Sequence, residues 1–153
     1  MTVHLAQFNI GTLLHPQDDP RSAGFMDALD EVNAAGEAAE GFVWRYQDET
    51  GAATNTHLWD DPLAIINLTV WESIEQLRAF AYNGLHLDYF RRRLEWFHPH
   101  EAPSHVMWWI PAGTLPTPEE AKARLEHMVE HGPSPVAFGF RQAGSMEPVA
   151  IDL

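Results

Sequence analysis

The stretch Ala-Ile-Ile-Asn-Leu-Thr-Val-Trp, residues 64–71, is the clearest β-strand signal in the sequence, and a helix signal follows it at once. Alternation along this stretch places Ile66, Leu68 and Val70 on one apolar face. The residues of its other face are Ile65, Asn67, Thr69 and Trp71. Ser73 and Gln76 then form a capping box, which predicts a helix through residue 81. A strand with one apolar and one mixed face, joined directly to a helix, is the unit around which the other elements are arranged.

Further strands and helices are predicted on both sides of this unit. The predicted strands cover residues 3–10, 41–47, 105–110 and 136–141. One predicted helix begins at Asp19-Pro20 and ends at Gly36 or Gly41, and two others cover residues 86–97 and 118–131. The order β-α-β-β-α(α)-β, followed by α-β, predicts an α+β fold with a ferredoxin-like βαββαβ core and an added C-terminal helix and strand. We expect one domain over residues 1–141 and a flexible or loosely docked tail over residues 142–153.

The mixed face of the predicted sheet is the reason to expect a homodimer. A ferredoxin-like sheet has helices on one face only, so its other face needs a different cover. We assign Gln7, Asn9, Asn67, Thr69 and Trp71 to that uncovered face. Two such sheets meeting face to face would enclose these side chains. The pattern therefore predicts a dimeric α/β barrel with a half-barrel cavity in each subunit.

The composition narrows the classes of function. The chain has 153 residues, of which 45% are hydrophobic and 11% aromatic, so it can build a core of its own. Twenty-two acidic against nine basic residues give a net charge of −13, which argues against nucleic-acid and anionic-membrane partners. The absence of cysteine excludes disulfides, Cys-ligated metals and a thiol nucleophile. With neither a leader nor a span of about 20 apolar residues, we expect a cytoplasmic protein without a membrane partner.

Polar and aromatic side chains on the mixed face predict a small-molecule site. Asparagines there would supply fixed polar groups, and tryptophans would form walls that stack on a planar ligand. His86, at the start of a predicted helix beside this face, has a pKa suited to acid–base chemistry. The alternative is that the asparagines only satisfy backbone groups and that His86 caps its helix. The other residues in this prediction are Asn9, Asn67, Trp44, Trp71 and Trp109.

The run Arg91-Arg92-Arg93 holds three of the nine basic residues. Consecutive helix positions lie about 100° apart, so at most one or two of these side chains can reach a pocket and bind a carboxylate or an oxyanion. Helical spacing places Arg93 on one stripe with His86 and Tyr89. We expect this stripe to border the cavity, with His86 nearest the reacting atom; the alternative is a boundary whose polar tips reach solvent. Arg45, on the second predicted strand, either faces the same cavity or forms an internal salt bridge.

Two histidine-rich segments look like metal sites, but neither is predicted to bind a metal. Residues 127–131 spell His-x-x-Glu-His, yet they end an acidic helix, where histidines complement the helix dipole. Residues 98–105 contain three histidines, but two prolines make this segment a loop without fixed ligand spacing, so we interpret it as a solvated turn. No serine lies in a nucleophile elbow, and the sequence has no glycine-rich phosphate loop.

Short phrases distributed along the chain carry a resemblance to a known family. They are Leu5-Ala6-Gln7-Phe8-Asn9-Ile10, Gly41-Phe42-Val43-Trp44-Arg45, Asn67-Leu68-Thr69-Val70-Trp71-Glu72-Ser73, His86, Arg91-Arg92-Arg93 with Trp96-Phe97, Trp108-Trp109-Ile110-Pro111-Ala112-Gly113, and Gly132-Pro133 with Ala137-Phe138. In this order, from residue 3 to residue 141, the sequence resembles DUF3291, a bacterial domain of unknown function. The resemblance implies the dimeric α/β-barrel fold of antibiotic-biosynthesis monooxygenases, haem-degrading enzymes, chlorite-dismutase-like haem proteins, isomerases and dehydratases. It implies a fold and selects none of these reactions.

The leading hypothesis is a small-molecule enzyme that uses an aromatic-lined barrel cavity for a cofactor-independent, monooxygenase-like oxidation of an aromatic or polyketide-type substrate. In this hypothesis, His86 would be the base, and Asn67, Asn9 or Arg93 would stabilise the oxyanion of the substrate. Neither a metal nor a cofactor is expected. The alternatives are a haem-binding protein of the same fold with His86 as axial ligand, and a non-catalytic small-ligand-binding module.

Overall fold

The computed structural model describes residues 2–153. The strands are β1 (Val3–Thr12), β2 (Phe42–Arg45), β3 (Ala64–Trp71) and β4 (His105–Pro111). The α-helices are α1 (Ala23–Met26), α2 (Leu29–Glu37), α3 (Ile74–Ala81), α4 (Gly84–Arg91), α5 (Pro118–His131) and α6 (Phe140–Ala143). Short 3-10 turns, Pro20–Ser22 and Arg93–Glu95, lie before α1 and after α4.

The four strands form one sheet in the order β2-β3-β1-β4, and every neighbouring pair is antiparallel. Asn9 of β1 lies opposite Asn67 of β3 on one side and opposite His105 of β4 on the other. Helices α1 and α2 join β1 to β2, and helices α3 and α4 join β3 to β4. This is the βαββαβ order with β1 and β3 at the centre, so the predicted α+β, ferredoxin-like core is confirmed.

Local capping signals set the helix starts on both sides of the sheet. The side chain of Ser73 accepts a hydrogen bond from the backbone N–H of Gln76 at 3.2 Å, which caps α3 directly after β3. Thr117 caps α5 in the same way through Glu120 at 3.1 Å, with Pro118 at the first helical position. These short-range bonds explain why the sequence could locate both helices.

The predicted fifth strand over residues 136–141 is wrong. Phe138 makes a single bridge to Met107, with N–O distances of 2.7 and 3.0 Å, and the chain then turns into α6. The backbone N–H of Gly139 donates to the side-chain oxygen of Gln142 at 3.0 Å, which starts this helical turn. An apolar alternation this short is equally compatible with a docked loop, and here the loop formed.

Two predicted helices are interrupted. The first is divided into the turn Pro20–Ser22, α1 and α2. The helix predicted over residues 86–97 begins at Gly84 and ends at Arg91, and a 3-10 turn follows. This tighter turn brings Trp96 inward, where it is buried against Leu13 and Ile65.

The apolar face of the sheet packs against α5 and the loop between β2 and β3. Ile66, Leu68 and Val70 of β3 lie in one buried cluster with Phe8 and Trp108 of the neighbouring strands. The residues that cover this cluster are Ala121, Leu125 and Met128 of α5 and Ala53, Leu58 and Trp59 of the loop. Helix α5 therefore occupies the face of the sheet opposite the connecting helices.

The mixed face is covered by the connecting helices of the same chain, which contradicts the expectation that it lacks a helical cover. Ile74 and Leu77 of α3 pack against Trp71, and α1, α2 and α4 also face this side of the sheet. Both helical connections cross on this side, whereas the added α5 takes the other. The homodimer and the two-subunit barrel stay predictions, and this face gives no argument for them because the chain already covers it.

The segment predicted as a tail, residues 142–153, begins within α6 and is partly packed. Ala143 is buried, and Met146 packs against the cluster that contains Leu5 and Trp109. The residues after Met146 are mostly exposed. Docking of the helical turn therefore extends contact with the core beyond residue 141.

Among residues 2–153, no helix combines the length and the apolar character that crossing a membrane would require.

Candidate functional site

A cavity of about 480 Å³ lies between the mixed face of the sheet and the helices that cover it. This volume is within the ordinary range for small-molecule sites. Many of the lining side chains are aromatic, and they include Phe25, Phe42, Trp71, Phe80, Tyr89, Phe90, Trp96 and Phe97. The single subunit therefore encloses the aromatic cavity that the sequence placed between two subunits.

Ring-to-ring contacts hold the walls in place. Trp71 stacks on Phe80 with ring centroids 5.4 Å apart, and Phe25 meets Phe97 edge to face at 4.8 Å. Phe97 also lies directly over Gly11 of β1, where an added Cβ would be 2.7 Å from the ring. A side chain at Gly11 would therefore push this part of the wall outward.

The mixed face of the sheet carries rows of side chains that run across the strands, and the lining residues among them form the floor of the cavity. Asn67, Asn9 and His105 form one row over β3, β1 and β4, because they are cross-strand partners on the same face. The next row is Thr69, Gln7 and Met107, and the row after it is Trp71, Leu5 and Trp109. The floor thus changes from polar to apolar along the strands.

Gln7 links the two polar rows through its side-chain amide. Its Nε2 donates to Oδ1 of Asn67 at 2.6 Å and to Oγ1 of Thr69 at 2.8 Å. Its Oε1 accepts from Nε2 of His105 at 3.0 Å. Thr69 also accepts from Nε1 of Trp71 at 2.9 Å. Because all these bonds have a fixed direction, they orient every side chain that they join.

His105 is held under a ring on one side and by Gln7 on the other. Its imidazole stacks on Phe140 with centroids 5.0 Å apart and planes only 5° from parallel. Burial lowers the pKa of His105 to about 4, so the ring is neutral at neutral pH. Since Nε2 donates to Gln7, the neutral ring carries its lone pair on Nδ1.

His86 lines the cavity from α4. Its Nδ1 bonds the carbonyl oxygen of Ala81 at 2.7 Å, and its ring lies 5.1 Å from the ring of Phe80. A carbonyl can only accept, so Nδ1 carries the proton and Nε2 has the free lone pair. Burial lowers the pKa of His86, and the bond to Ala81 opposes this shift. A neutral imidazole with a free Nε2 can act as a general base.

The stripe predicted on this helix does border the cavity, since Tyr89 and Arg93 line it together with His86. The guanidinium of Arg93 lies 4.2 Å from the ring centre of Phe90 and donates to the Phe90 carbonyl at 2.9 Å. Arg92 instead pairs with Glu95. Among the described residues, Arg93 is the one member of the arginine run that lines the cavity.

Arg45 satisfies both predictions that were made for it. It lines the cavity, and it also forms an internal salt bridge to Glu37 at 3.1 Å and a hydrogen bond to the Gly51 carbonyl at 2.8 Å. For Asn9 and Asn67, the alternative to a role in the site was that their side chains only satisfy backbone groups. Asn67 accepts from a side chain, and within residues 2–153 the Asn9 side chain makes no hydrogen bond.

Two of the predicted wall residues do not line the cavity. Trp44 lies opposite Val70 and packs on the apolar face of the sheet, because β2 is irregular between Phe42 and Trp44. Trp109 is on the cavity face, but it is buried in the packed cluster with Leu5 and Phe138. Of the three tryptophans that we expected around the ligand, Trp71 alone contributes to the wall.

His105 is the polar residue that the sequence interpretation missed, since it was placed in a solvated turn. The alternation of β4 contained the necessary signal. His105, Met107 and Trp109 share one face of that strand, and Trp109 had been assigned to the face of the cavity. The ring of Trp96 was also missed, because a regular helix through residue 97 would not turn it inward.

Within residues 2–153, no three His, Cys, Asp or Glu side chains are grouped so as to hold a metal ion. His127 and His131 lie near each other, with ring centroids 4.6 Å apart. His131 also approaches Glu130 at 3.7 Å, and both of these side chains are mostly exposed. This pair is at the end of α5, on the side of the sheet opposite the cavity.

A four-stranded antiparallel sheet in the βαββαβ order places the protein in the class of α+β, ferredoxin-like folds. The family described as a domain of unknown function, DUF3291, matches residues 4–150, and the chain belongs to this family. The predicted resemblance is therefore confirmed. No curated protein matches the chain.

The solved structures that are similar to this chain have low sequence identity to it. A protein of unknown function from Nitrosomonas europaea is 14% identical with a TM-score of 0.51, over 76% of this chain and 97% of that one. A protein from Pseudomonas aeruginosa is 12% identical with a TM-score of 0.48, over 74% and 98%. A protein from Chloroflexus aurantiacus, provisionally named an antibiotic biosynthesis monooxygenase, is 19% identical with a TM-score of 0.44, over 74% and 97%. The first of these supports the fold.

Proposed function

We propose that this protein is a small-molecule enzyme that binds a planar aromatic substrate in the cavity between its sheet and its helices. The observation that carries the proposal is the cavity itself, with aromatic walls, a directed polar floor and a neutral histidine on its lining. A flat ring would pack against the aromatic side chains that line the cavity. Fixed polar groups on one side orient such a ligand.

His86 is the general base in this proposal. Its Nε2 is unprotonated because Nδ1 donates to the Ala81 carbonyl, and burial keeps the ring neutral. The proton would come from an acidic hydroxyl or activated methylene group of the substrate. Asn67 and Arg93 line the same cavity and supply N–H donors for the resulting anion.

The proposed reaction is a cofactor-independent, monooxygenase-like oxidation, in which the substrate itself reduces O₂. An activated methylene loses a proton to His86, and the carbanion passes electrons to O₂ as a new C–O bond forms. Cleavage of the O–O bond releases water, and the second methylene hydrogen leaves as a proton. The balanced change is CH₂ plus O₂ to C=O plus H₂O. The dry aromatic walls would exclude bulk water from the anion.

The described lining does not fit haem. His86 could offer Nε2 to iron, but the two propionates need cationic partners. Within the described residues, Arg45 and Arg93 are the cationic arginine or lysine side chains on the lining. Arg45 is already paired with Glu37, which leaves Arg93 alone to meet two propionates. No step is therefore assigned to haem.

The test uses an anthrone, a polycyclic aromatic ketone with an activated methylene group, as the probe substrate. We expect the wild-type protein to accelerate O₂ uptake, measured with an oxygen electrode. His86→Ala should lose this acceleration while the melting temperature stays within about 3 °C. His131→Ala, at the exposed end of α5, is the matched control and should behave as the wild type.

Each alternative has its own outcome in this experiment. Binding of the probe without O₂ uptake would support the non-catalytic ligand-binding module. Equal activity of His86→Ala and the wild type would remove His86 as the base. A Soret band after addition of haemin would support the haem-binding protein instead.

A further inference from the structure

We infer that the row Asn67–Asn9–His105 binds one edge of the ligand, and that this edge is uncharged and carries a hydrogen-bond donor beside an acceptor, as in a cyclic amide. This inference rests on the proposed function, because it uses the same cavity. It assigns a specificity-determining role to His105, and the argument starts from the directions of the hydrogen bonds that hold the row.

Gln7 determines which hydrogen-bond donors and acceptors of the row remain free for a ligand. Both N–H groups of its amide are used, one by Oδ1 of Asn67 and one by Thr69. The oxygen of Asn67 therefore points toward Gln7, and its Nδ2 is left as a donor. Because Oε1 of Gln7 accepts from Nε2 of His105, Nδ1 of His105 is left as an acceptor. One end of the row thus donates and the other accepts.

Asn9 lies between these two ends. It is the cross-strand partner of both Asn67 and His105, and within residues 2–153 its amide makes no hydrogen bond. The side chain is half-buried and lines the cavity. Neighbouring strands are about 4.8 Å apart, so the row spans about 10 Å across three strands. The N–H and C=O groups of a cyclic amide are much closer together than the ends of the row. Such an edge would therefore bind the free amide of Asn9 through its C=O and Nδ1 of the neighbouring His105 through its N–H.

The charge of the row excludes an anionic edge. His105 is neutral at neutral pH because burial lowers its pKa to about 4, so its Nδ1 presents a lone pair. A carboxylate placed there would meet this lone pair without a cationic partner. Of the two arginines on the lining, Arg45 is paired with Glu37, and Arg93 follows α4 on the helical side of the cavity and is not part of the sheet. A neutral N–H or O–H donor is the group that the lone pair can bind.

Three planar probes test the inference by isothermal titration calorimetry at pH 7. Isoquinolin-1(2H)-one carries N–H beside C=O, its N-methyl derivative lacks the donor, and 1-naphthoate is an anion of similar size. We expect the parent lactam to bind at least about tenfold more tightly than the N-methyl compound, because the latter leaves Nδ1 of His105 unpaired. The naphthoate should bind more weakly than the lactam.

Two variants and one control variant test which residues distinguish the lactam from its N-methyl derivative. His105→Phe keeps a ring against Phe140 but removes the acceptor, so the ratio between the two lactams should fall to about one. His131→Phe is the matched control and should keep the wild-type ratio. Asn9→Asp leaves the Gln7 network untouched, because Asn9 makes no bond within it, and should weaken binding of both lactams through their carbonyl oxygen.

The outcomes separate this inference from the proposed function. If both lactams bind equally well to the wild type, or if 1-naphthoate binds best, the inference is wrong while the aromatic site stands. If His105→Phe retains the discrimination, His105 does not provide it and the inference is also wrong. If none of the three probes binds, the proposed function itself fails, and the inference fails with it.

Discussion

Gln7 and His105 show how individual residues acquire their function from their neighbours. Glutamine on a strand is commonplace, but here its amide is fully used by Asn67, Thr69 and His105. Those bonds determine which nitrogen of His105 carries its proton. The chemistry offered to the cavity is therefore a property of the connected set and not of any single side chain.

The first prediction concerns the pH dependence of stability. The pKa of His105 is about 4 in the folded protein and about 6.5 when unfolded, so the unfolded chain takes up a proton first. The stability that neutral His105 contributes is fully present above about pH 6.5. It is lost as the pH falls to about 4, which lowers the free energy of unfolding by about 3 kcal/mol. Urea unfolding at pH 7 and pH 4.5 measures this loss.

His105→Phe is the comparison for this measurement, because it keeps every other titrating group. The variant should lose less stability than the wild type between the two pH values, by about 2–3 kcal/mol. An equal loss in both proteins would show that His105 is protonated as easily in the folded state as in the unfolded state.

The second prediction concerns Trp71, which is 1% exposed and belongs both to the core and to the cavity wall. Trp71→Ala should lower the free energy of unfolding by about 3–5 kcal/mol, because it removes a large ring and the partner of Thr69. It should also weaken binding of isoquinolin-1(2H)-one. Trp44→Ala, on the opposite face, should leave that binding unchanged; a loss of affinity there would place the site elsewhere.

At the scale of elements, α4 lines the cavity without being part of the buried core. It carries His86 and Tyr89 toward the cavity, yet none of its residues is fully buried. It packs on α2 and α3 and leaves the cavity between itself and the sheet. The functional stripe therefore rests on helix–helix contacts, while the floor beneath it is fixed by strand pairing.

The third prediction concerns Gly41, which joins α2 to β2. Its φ of +85° is unfavourable for other residues, and an added Cβ would collide with the side chain of Gln76. Gly113 has a similar φ of +89°, but the space around it is open. Gly113→Ala should cost about 1 kcal/mol and Gly41→Ala up to about 3 kcal/mol, measured by urea unfolding. Equal costs would mean that Gln76 simply moves aside.

On the scale of the whole molecule, one chain covers both faces of its sheet. Phe8 and Trp108 on the apolar face are fully buried beneath α5 and the long loop, and Leu5 and Met107 are fully buried on the other face. The added C-terminal helix thus occupies the face that a ferredoxin-like sheet commonly leaves without helices.

The fourth prediction follows from this coverage. Because no sheet face depends on a second chain for burial, the melting temperature should be the same at about 1 µM and about 100 µM protein. Differential scanning fluorimetry over this range is the measurement. A melting temperature that rises with concentration would show that association contributes to the stability of the fold.

The sequence by itself determined the βαββαβ order and which side chains of β1 and β3 share a face. Capping residues such as Ser73 and Thr117 act over three positions, and strand alternation has a period of two, so both can be read locally. Those rules located β3, α3 and α5, and they grouped Asn67 with Trp71. They also placed the stripe of His86, Tyr89 and Arg93 on one side of a helix.

Only the tertiary structure decided which elements cover each face. Alternation tells which side chains share a face but contains no information about the helices that cross it, so the mixed face was left open in the prediction. The irregularity in β2 moved Trp44 to the other side, and the turn after α4 brought Trp96 inward. His105 joined the site because β4 pairs with β1 ninety-eight positions away from Gln7. Alternation along β4 indicates which face His105 is on, but its contact with Gln7 arises from packing of the whole chain, because the two residues are so far apart in sequence.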